Sequence, residues 1–309
     1  MNEDFQKRSN AVFEKLRILV RIDPNIVFLG GSAIQVLLKT PKRLSIDLDI
    51  AYSGDIQKFI KELENKGYKV KQRKSRVLDF TFYNIYKNGV LVKLDISKLS
   101  IPETEKHNIK DFQVLTPKLS YFLASKLSAL AFDTIGRFEE EPQQILKDIF
   151  DINCILDLQP DLDQFQRDWR QIVLDQNKLR KTRFTEHECL ISVQKTLLKC
   201  IDAIPLPEFF IPQHSLGSFQ DMLINSKISR RDIVVMAARA LILSNNMNIQ
   251  FYAIEKNVLE EAKSASKLEE AAKKLIERNY LSNQQIKAIK TIAPVALMFL
   301  SNYKQNTNV

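Results

Sequence analysis

Two aspartates, Asp47 and Asp49 in the stretch RLSIDLDIAY (43–52), have the type and spacing of a reaction centre. The stretch alternates, with Leu44, Ile46, Leu48 and Ile50 facing one way and Ser45, Asp47 and Asp49 the other. A strand would therefore set both carboxylates on one face, about 6 to 7 Å apart along the chain. Such a pair can grip one hard cation, and magnesium suits it. A strand with a merely solvated acidic face has the same pattern. A third carboxylate, Asp95, occupies the same phase of VKLDIS (92–97). If that strand lies beside 43–52, Asp95 completes a metal-binding triad with Asp47 and Asp49 and becomes the candidate base.

Upstream, IVFLGG (26–31) reads as a short buried strand, and AIQVLLKT (33–40) as the helix after it. Gly30, Gly31 and Ser32 then form a turn whose backbone N–H groups open a helix, where phosphate binds favourably and missing Cβ atoms permit close approach. Ser32 can serve as an N-cap, as a phosphate contact, or as both. Downstream, Lys126 sits inside the apolar stripe Leu119, Phe122, Leu123, Leu127 and Leu130, where an ammonium must snorkel or find an anion such as a triphosphate. Asp148 lies close to the apolar face of PQQILKDIFDINCIL (142–156). It could position Lys126 or a substrate; equally, the two could form an ion pair tying two helices. Carboxylates around Mg²⁺ beside a phosphate cradle make a site for nucleotidyl transfer from an NTP.

These residues must be positioned by the rest of the chain. A helix is expected over about 4–21, another over 55–65, and further strands at 68–72, 77–86 and 90–97, followed by helical periodicity beyond residue 116. Leu115-Thr116-Pro117 marks the expected boundary, because Thr caps helices well and Pro suits the first helical position. The expected fold is α+β: a mixed sheet with helices over 1–116, then a helical domain over 117–309 that contributes Lys126 and Asp148. Interruptions fall near Pro160, 204–213 and Pro294.

Composition agrees with this layout. The 309 residues include only 7 glycines, where an average usage of about 7% would give roughly 22, so a helix-rich chain keeps a Gly-Gly pair where close approach matters. The formal charge of +9 is concentrated at the front, with 21 basic against 14 acidic residues in 1–117. That field suits a polyanionic partner. Three cysteines at wide spacing and three histidines without ligand spacing exclude a disulfide framework and offer no zinc site. No apolar run is long enough to span a bilayer, and a cytoplasmic location is expected.

GGS at 30–32, RLSIDLD at 43–49, SKLSAL at 125–130 and KDIFDI at 147–152 together resemble the four-part signature of the AbiEii/AbiGii-type nucleotidyltransferase toxins, the toxin half of type IV toxin–antitoxin pairs. The resemblance covers about residues 26–158. It implies a minimal DNA polymerase β-like nucleotidyltransferase domain and places Ser45 and Asp47 on the family's SxDxD motif. It also implies an NTP-contacting role for Lys126, a late catalytic aspartate at Asp148 and a phosphate contact at Arg43. A cognate antitoxin, a role in phage defence and, from some members, nucleotide addition to the tRNA 3′ end are implied as well.

The basic stretches fit an RNA partner. KGYKVKQRKSR (66–76) holds six basic residues in eleven with no acid, and Lys69, Lys71 and Arg73 would share a strand face; KLRKTR (178–183) holds four in six. Nucleotidyl transfer to a protein or small-molecule hydroxyl, and a non-catalytic nucleotide-binding defence protein, are the competing readings.

Overall fold

The computed structural model describes residues 3–38, 40–73, 80–98, 101, 103–109, 111–137, 141–202, 211–248, 250–278 and 281–303. Lys74 and Arg76 of the first basic stretch, and most of the expected break at 204–213, lie outside the described residues. The chain forms two compact units: Met1–Phe122 with Asp175–Thr182 and Gln220–Ser226, and Leu123–Leu174 with Arg183–Phe219 and Lys227–Val309.

The first unit is a mixed seven-stranded sheet with helices. Its strands are β1 (Val27–Leu29), β2 (Asp47–Ala51), β3 (Lys69–Arg73), β4 (Phe80–Lys87), β5 (Val90–Ser97), β6 (Thr104–Ile109) and β7 (Phe112–Pro117), ordered β3-β4-β5-β2-β1-β7-β6. The β2–β5 and β1–β7 pairs are parallel and the others antiparallel. Asn88 and Gly89, both at positive φ (52° and 76°), make the tight β4–β5 turn. Two-residue hairpin turns of this kind favour Asn-Gly, and the turn fixes which β4 and β5 side chains share a face.

Alternation decides what each face does. Leu48 and Ile50 of β2, Val92, Leu94 and Ile96 of β5, and Tyr83 and Ile85 of β4 are buried. Helix α1 (Glu3–Ile22) packs on β5 and β2 and brings Phe13 edge-on to the buried Phe28 of β1. Val12, Leu16 and Leu19 of α1 are fully buried, so the apolar period seen in the sequence is the stripe that meets the sheet. Helix α3 (Ile56–Asn65) is capped by Asp55, whose side chain accepts from the Gln57 N–H at 2.9 Å. The opposite phase carries Lys69, Lys71 and Arg73 of β3, Phe82, Asn84 and Tyr86 of β4, Lys93 and Asp95 of β5, and Asp47 and Asp49 of β2.

Two local expectations are corrected. Thr116 and Pro117 end β7 rather than opening a helix, and α4 (Leu119–Ser128) begins two residues later. The β6–β7 hairpin that precedes it has no counterpart in the sequence reading. Helix α2 (Gly30–Leu37) starts at the glycines themselves, three residues before its expected start.

The second unit is helical. Besides most of α4 it contains α5 (Pro142–Leu156), most of α6 (Leu162–Arg180), α7 (Glu186–Asp202), most of α8 (Gln213–Gln220), α9 (Arg230–Asn245), α10 (Gln250–Glu261), α11 (Ala265–Arg278), α12 (Asn283–Ile292) and α13 (Pro294–Asn302). Helix α9 is its axis: α5, α7 and α13 pack on it, and Ile233, Val234, Ala237, Leu241 and Ile242 are fully buried. Its start is fixed by a capping box in which the Ser229 and Asp232 side chains each meet the other's backbone N–H. Among the described residues no helix is long and apolar enough to cross a membrane.

Candidate active site

On the polar face of the sheet, β2 and β5 run parallel with Asp49 opposite Asp95 and Asp47 opposite Lys93. The adjacency expected from the sequence is present, but the Asp95 carboxylate is already engaged: it pairs with Arg73 of β3, and both side chains are 31% exposed. The Arg73 guanidinium lies 5.1 Å from the centre of the Phe82 ring on β4. Arg73, Phe82, Asp95 and Asp49 are thus consecutive partners across four strands. Burial pushes the Asp95 carboxyl up to about 6, with Asp47 adding to the rise while Arg73 and Lys93 oppose it.

The glycine pair is required by neighbouring side chains. Gly30 has φ +68°, and a Cβ there would overlap Asp49 Oδ2 and come within 2.6 Å of its Cγ. At Gly31 a Cβ would overlap Arg43 Nη2 and stand 3.2 Å from Ser45 Oγ. The missing side chains seat a carboxylate and a guanidinium at the start of α2. Ser32 is buried and donates its hydroxyl hydrogen bond to the Asp47 carbonyl at 2.6 Å, tying α2 to β2. It is not the N-cap residue, since Leu29 holds that position.

Arg43 and Ser45 are also buried. The Arg43 Nη1 donates to the Leu44 carbonyl at 3.1 Å. Its backbone is held by a segment remote in sequence: Arg43 bridges Leu223, the Leu44 N–H donates to the Met222 carbonyl at 2.7 Å, and the Ile224 N–H donates to the Lys42 carbonyl at 2.9 Å. No local sequence signal announces that partner.

A second constellation belongs to the helical unit. Lys126, in the last turn of α4, donates to Asp148 Oδ1 at 3.0 Å and lies 2.9 Å from Asp151 Oδ2. Arg137 donates to Asp148 Oδ2 through Nε at 3.2 Å and Nη2 at 2.7 Å. The Lys126 side chain is 13% exposed, and those of Asp148 and Asp151 are 1% and 4% exposed. The ion pair open to Lys126 and Asp148 from sequence is therefore present and larger than a pair. Burial alone would push the Asp148 carboxyl up, but Arg137 and Lys126 together outweigh it and hold it below the usual carboxylate range. Sequence reasoning missed Asp151 and Arg137. Asp151 had a readable signal, since in KDIFDI it follows Asp148 by three residues and so shares its helix face; Arg137 had none.

Among the described residues no group of three or more His, Cys, Asp or Glu side chains converges as a metal site. Asp47, Asp49 and Asp95 share a face without forming such a cluster, and Asp95 is paired with Arg73. Magnesium needs less: one or two carboxylates with the remaining ligands from water and substrate phosphates are its ordinary protein set, and Asp47 with Asp49 fits it.

The sequence model described as "Nucleotidyl transferase AbiEii toxin, Type IV TA system" matches residues 16–222, a span that contains both constellations. The chain belongs to the AbiEii nucleotidyl transferase toxin family. As a member it is a nucleotidyltransferase and the toxin of a type IV toxin–antitoxin pair, and that pairing implies a cognate antitoxin. Among solved structures it is similar to JHP933 from Helicobacter pylori, at 17% identity and TM-score 0.38, with 61% of this chain and 91% of that one covered. It is also similar to an antigenic nucleotidyltransferase-like protein from Paracoccidioides brasiliensis, at 17% identity and TM-score 0.36, with 58% and 89% covered. Among curated proteins none matches.

Proposed function

We propose that this AbiEii-family toxin transfers a nucleotide from an NTP to an RNA hydroxyl, with the tRNA 3′ end as acceptor, in a magnesium-dependent reaction that stops translation. The observation that carries the reading is the shared sheet face, which holds Asp47, Asp49 and Asp95 at one end and the cations of β3 at the other. Magnesium held by Asp47 and Asp49 would neutralise charge on the NTP phosphates. Gly30, Gly31 and Ser32 open α2 beside these carboxylates, and Arg43, seated against Gly31, supplies a cation to the same phosphates. Lys126 is assigned a phosphate contact on the family resemblance, with Asp148 and Asp151 orienting its ammonium.

In the transfer the acceptor oxygen bonds to the α-phosphorus, the bond from that phosphorus to the bridging oxygen breaks, and pyrophosphate leaves. The hydroxyl proton goes to Asp95, whose carboxyl near 6 is ionised at neutral pH yet more basic than a free aspartate. The proposed place of action is the cytoplasm, with the antitoxin restraining the enzyme and arrested translation serving phage defence.

The test is incubation of the purified protein with magnesium, each α-labelled NTP and total RNA. Label is expected in the tRNA fraction, at the 3′ end, and Asp47→Ala is expected to abolish both transfer and toxicity. Label found only in added protein would move the acceptor to a protein hydroxyl. Toxicity surviving in Asp47→Ala would make the protein a non-catalytic binder.

A further inference from the structure

The open face of the sheet offers more than a basic stripe. Residues two apart on β4 share that face, giving a column Tyr86, Asn84, Phe82. Each is flanked by its strand partners: Lys69 and Leu91 beside Tyr86, Lys71 and Lys93 beside Asn84, and Arg73 and Asp95 beside Phe82. Tyr86 is 38% exposed, one of few large hydrophobic side chains so placed among the described residues, and Lys69, Lys71 and Lys93 are exposed. The Asn84 Oδ1 is shielded from solvent and has no hydrogen-bond partner among the described residues.

We infer that this column is a platform for an unpaired RNA strand, which lies across β4 with its 3′ end toward Asp95 and Asp49. The inference rests on the RNA reading of the function and narrows it to single-stranded acceptor ends. Two features favour an unpaired strand over a duplex. An exposed aromatic ring beside cations is the arrangement on which bases stack irrespective of sequence, and a base is free to stack on it only when unpaired. The charge is graded, with cations over β3 and carboxylates over β2, so a polyanion settles its phosphates at one end and brings only its terminal hydroxyl to the other. Arg73, paired with Asp95 and 5.1 Å from the centre of the Phe82 ring, marks the end of the column next to the reacting carboxylates.

The test uses the full-length protein and two labelled RNA hairpins of one sequence, one blunt and one with a short unpaired 3′ extension. Anisotropy titrations at several salt concentrations are paired with transfer of α-labelled nucleotide to the extended hairpin. The extended hairpin is expected to bind about tenfold more tightly than the blunt one. Tyr86→Ala is expected to remove about tenfold in affinity, with Tyr86→Phe restoring it. The same loss should enter the KM for RNA and leave the KM for NTP unchanged. Lys71→Ala should lower the slope of log affinity on log salt by about 0.7. Equal binding of the two hairpins, or wild-type behaviour of Tyr86→Ala, while RNA is still labelled, overturns the platform and leaves the RNA reading standing. If the wild-type protein neither binds nor labels any RNA, the RNA reading itself falls and the platform with it.

Discussion

Gly30 and Gly67 both have positive φ, at 68° and 79°, yet an added Cβ meets very different surroundings at the two. At Gly67 nothing lies within 4 Å, whereas at Gly30 the Asp49 carboxylate occupies the space. Gly67→Ala should therefore incur only the backbone term, about 1 to 2 kcal/mol for an L-residue held in the left-handed region. Gly30→Ala incurs the same term and must also drive Asp49 out of its seat. An off-rotamer side chain adds about 0.5 to 1.5 kcal/mol, for a total of about 1.5 to 3.5 kcal/mol. The two variants thus differ modestly in stability and sharply in activity, since displacing a catalytic group by about 1 Å can cost on the order of a hundredfold. Thermal unfolding of each variant measures the first quantity, and the initial rate of pyrophosphate release at saturating NTP measures the second. Gly30→Ala is expected to lose a hundredfold or more in rate while Gly67→Ala stays near the parent. A Gly30→Ala enzyme within tenfold of the parent would refute the claim that the glycine exists to seat Asp49.

The raised Asp95 carboxyl carries a pH signature. Its folded value, about 6 against 3.8 for the free group, means that the folded protein holds this proton more tightly, so stability falls as pH rises from about 4 through about 6. The cost above pH 6 is about 3 kcal/mol at 1.36 kcal/mol per unit. Asp95→Asn should recover much of it at about pH 8 and none at about pH 4, less what Arg73 loses with its partner; a melting-temperature difference independent of pH would contradict this. Asp148 behaves in the opposite sense: stability from its pairing with Arg137 and Lys126 is present above the ordinary carboxylate value and disappears as pH falls through its lowered one. Lys126→Ala removes the cation that Asp148 and Asp151 share, leaving Arg137 on Asp148, and denaturant unfolding should register a loss of about 3 to 5 kcal/mol along with the loss of transfer. Ser32→Ala removes one buried hydrogen bond to the Asp47 carbonyl and should cost about 1 kcal/mol, with a smaller effect on rate than Gly30→Ala.

Alternation and helical period were readable in α1, α3, β4 and β5, each of which sets one face on a core. Strand β5 falls on its expected residues, and α1, α3, β3 and β4 fall within a few residues of theirs. The β6–β7 hairpin was missed because β6, TEKHNI, is a largely exposed edge strand with no buried phase to alternate against. Thr116 and Pro117 misled for a related reason, since a Thr-Pro step ends a strand as readily as it opens a helix. Within the site, residue types were legible but partnerships were not. Asp95 was placed beside Asp49, yet its ion pair with Arg73 depends on β3 and β4 pairing in one particular register. The glycine pair pointed to close approach, and what approaches in the structure is Asp49 and Arg43.

The bridge from Arg43 to Leu223 bears on when the enzyme can first act. The strand-bearing unit includes Gln220–Ser226, and the backbone just ahead of Asp47 is bonded to that segment. A ribosome making this protein must therefore release about three-quarters of the chain before the unit holding Asp47, Asp49 and Asp95 has all its parts. Until then the nascent toxin lacks the clamp on its own signature segment, and fragments that end before Met222 lack it permanently.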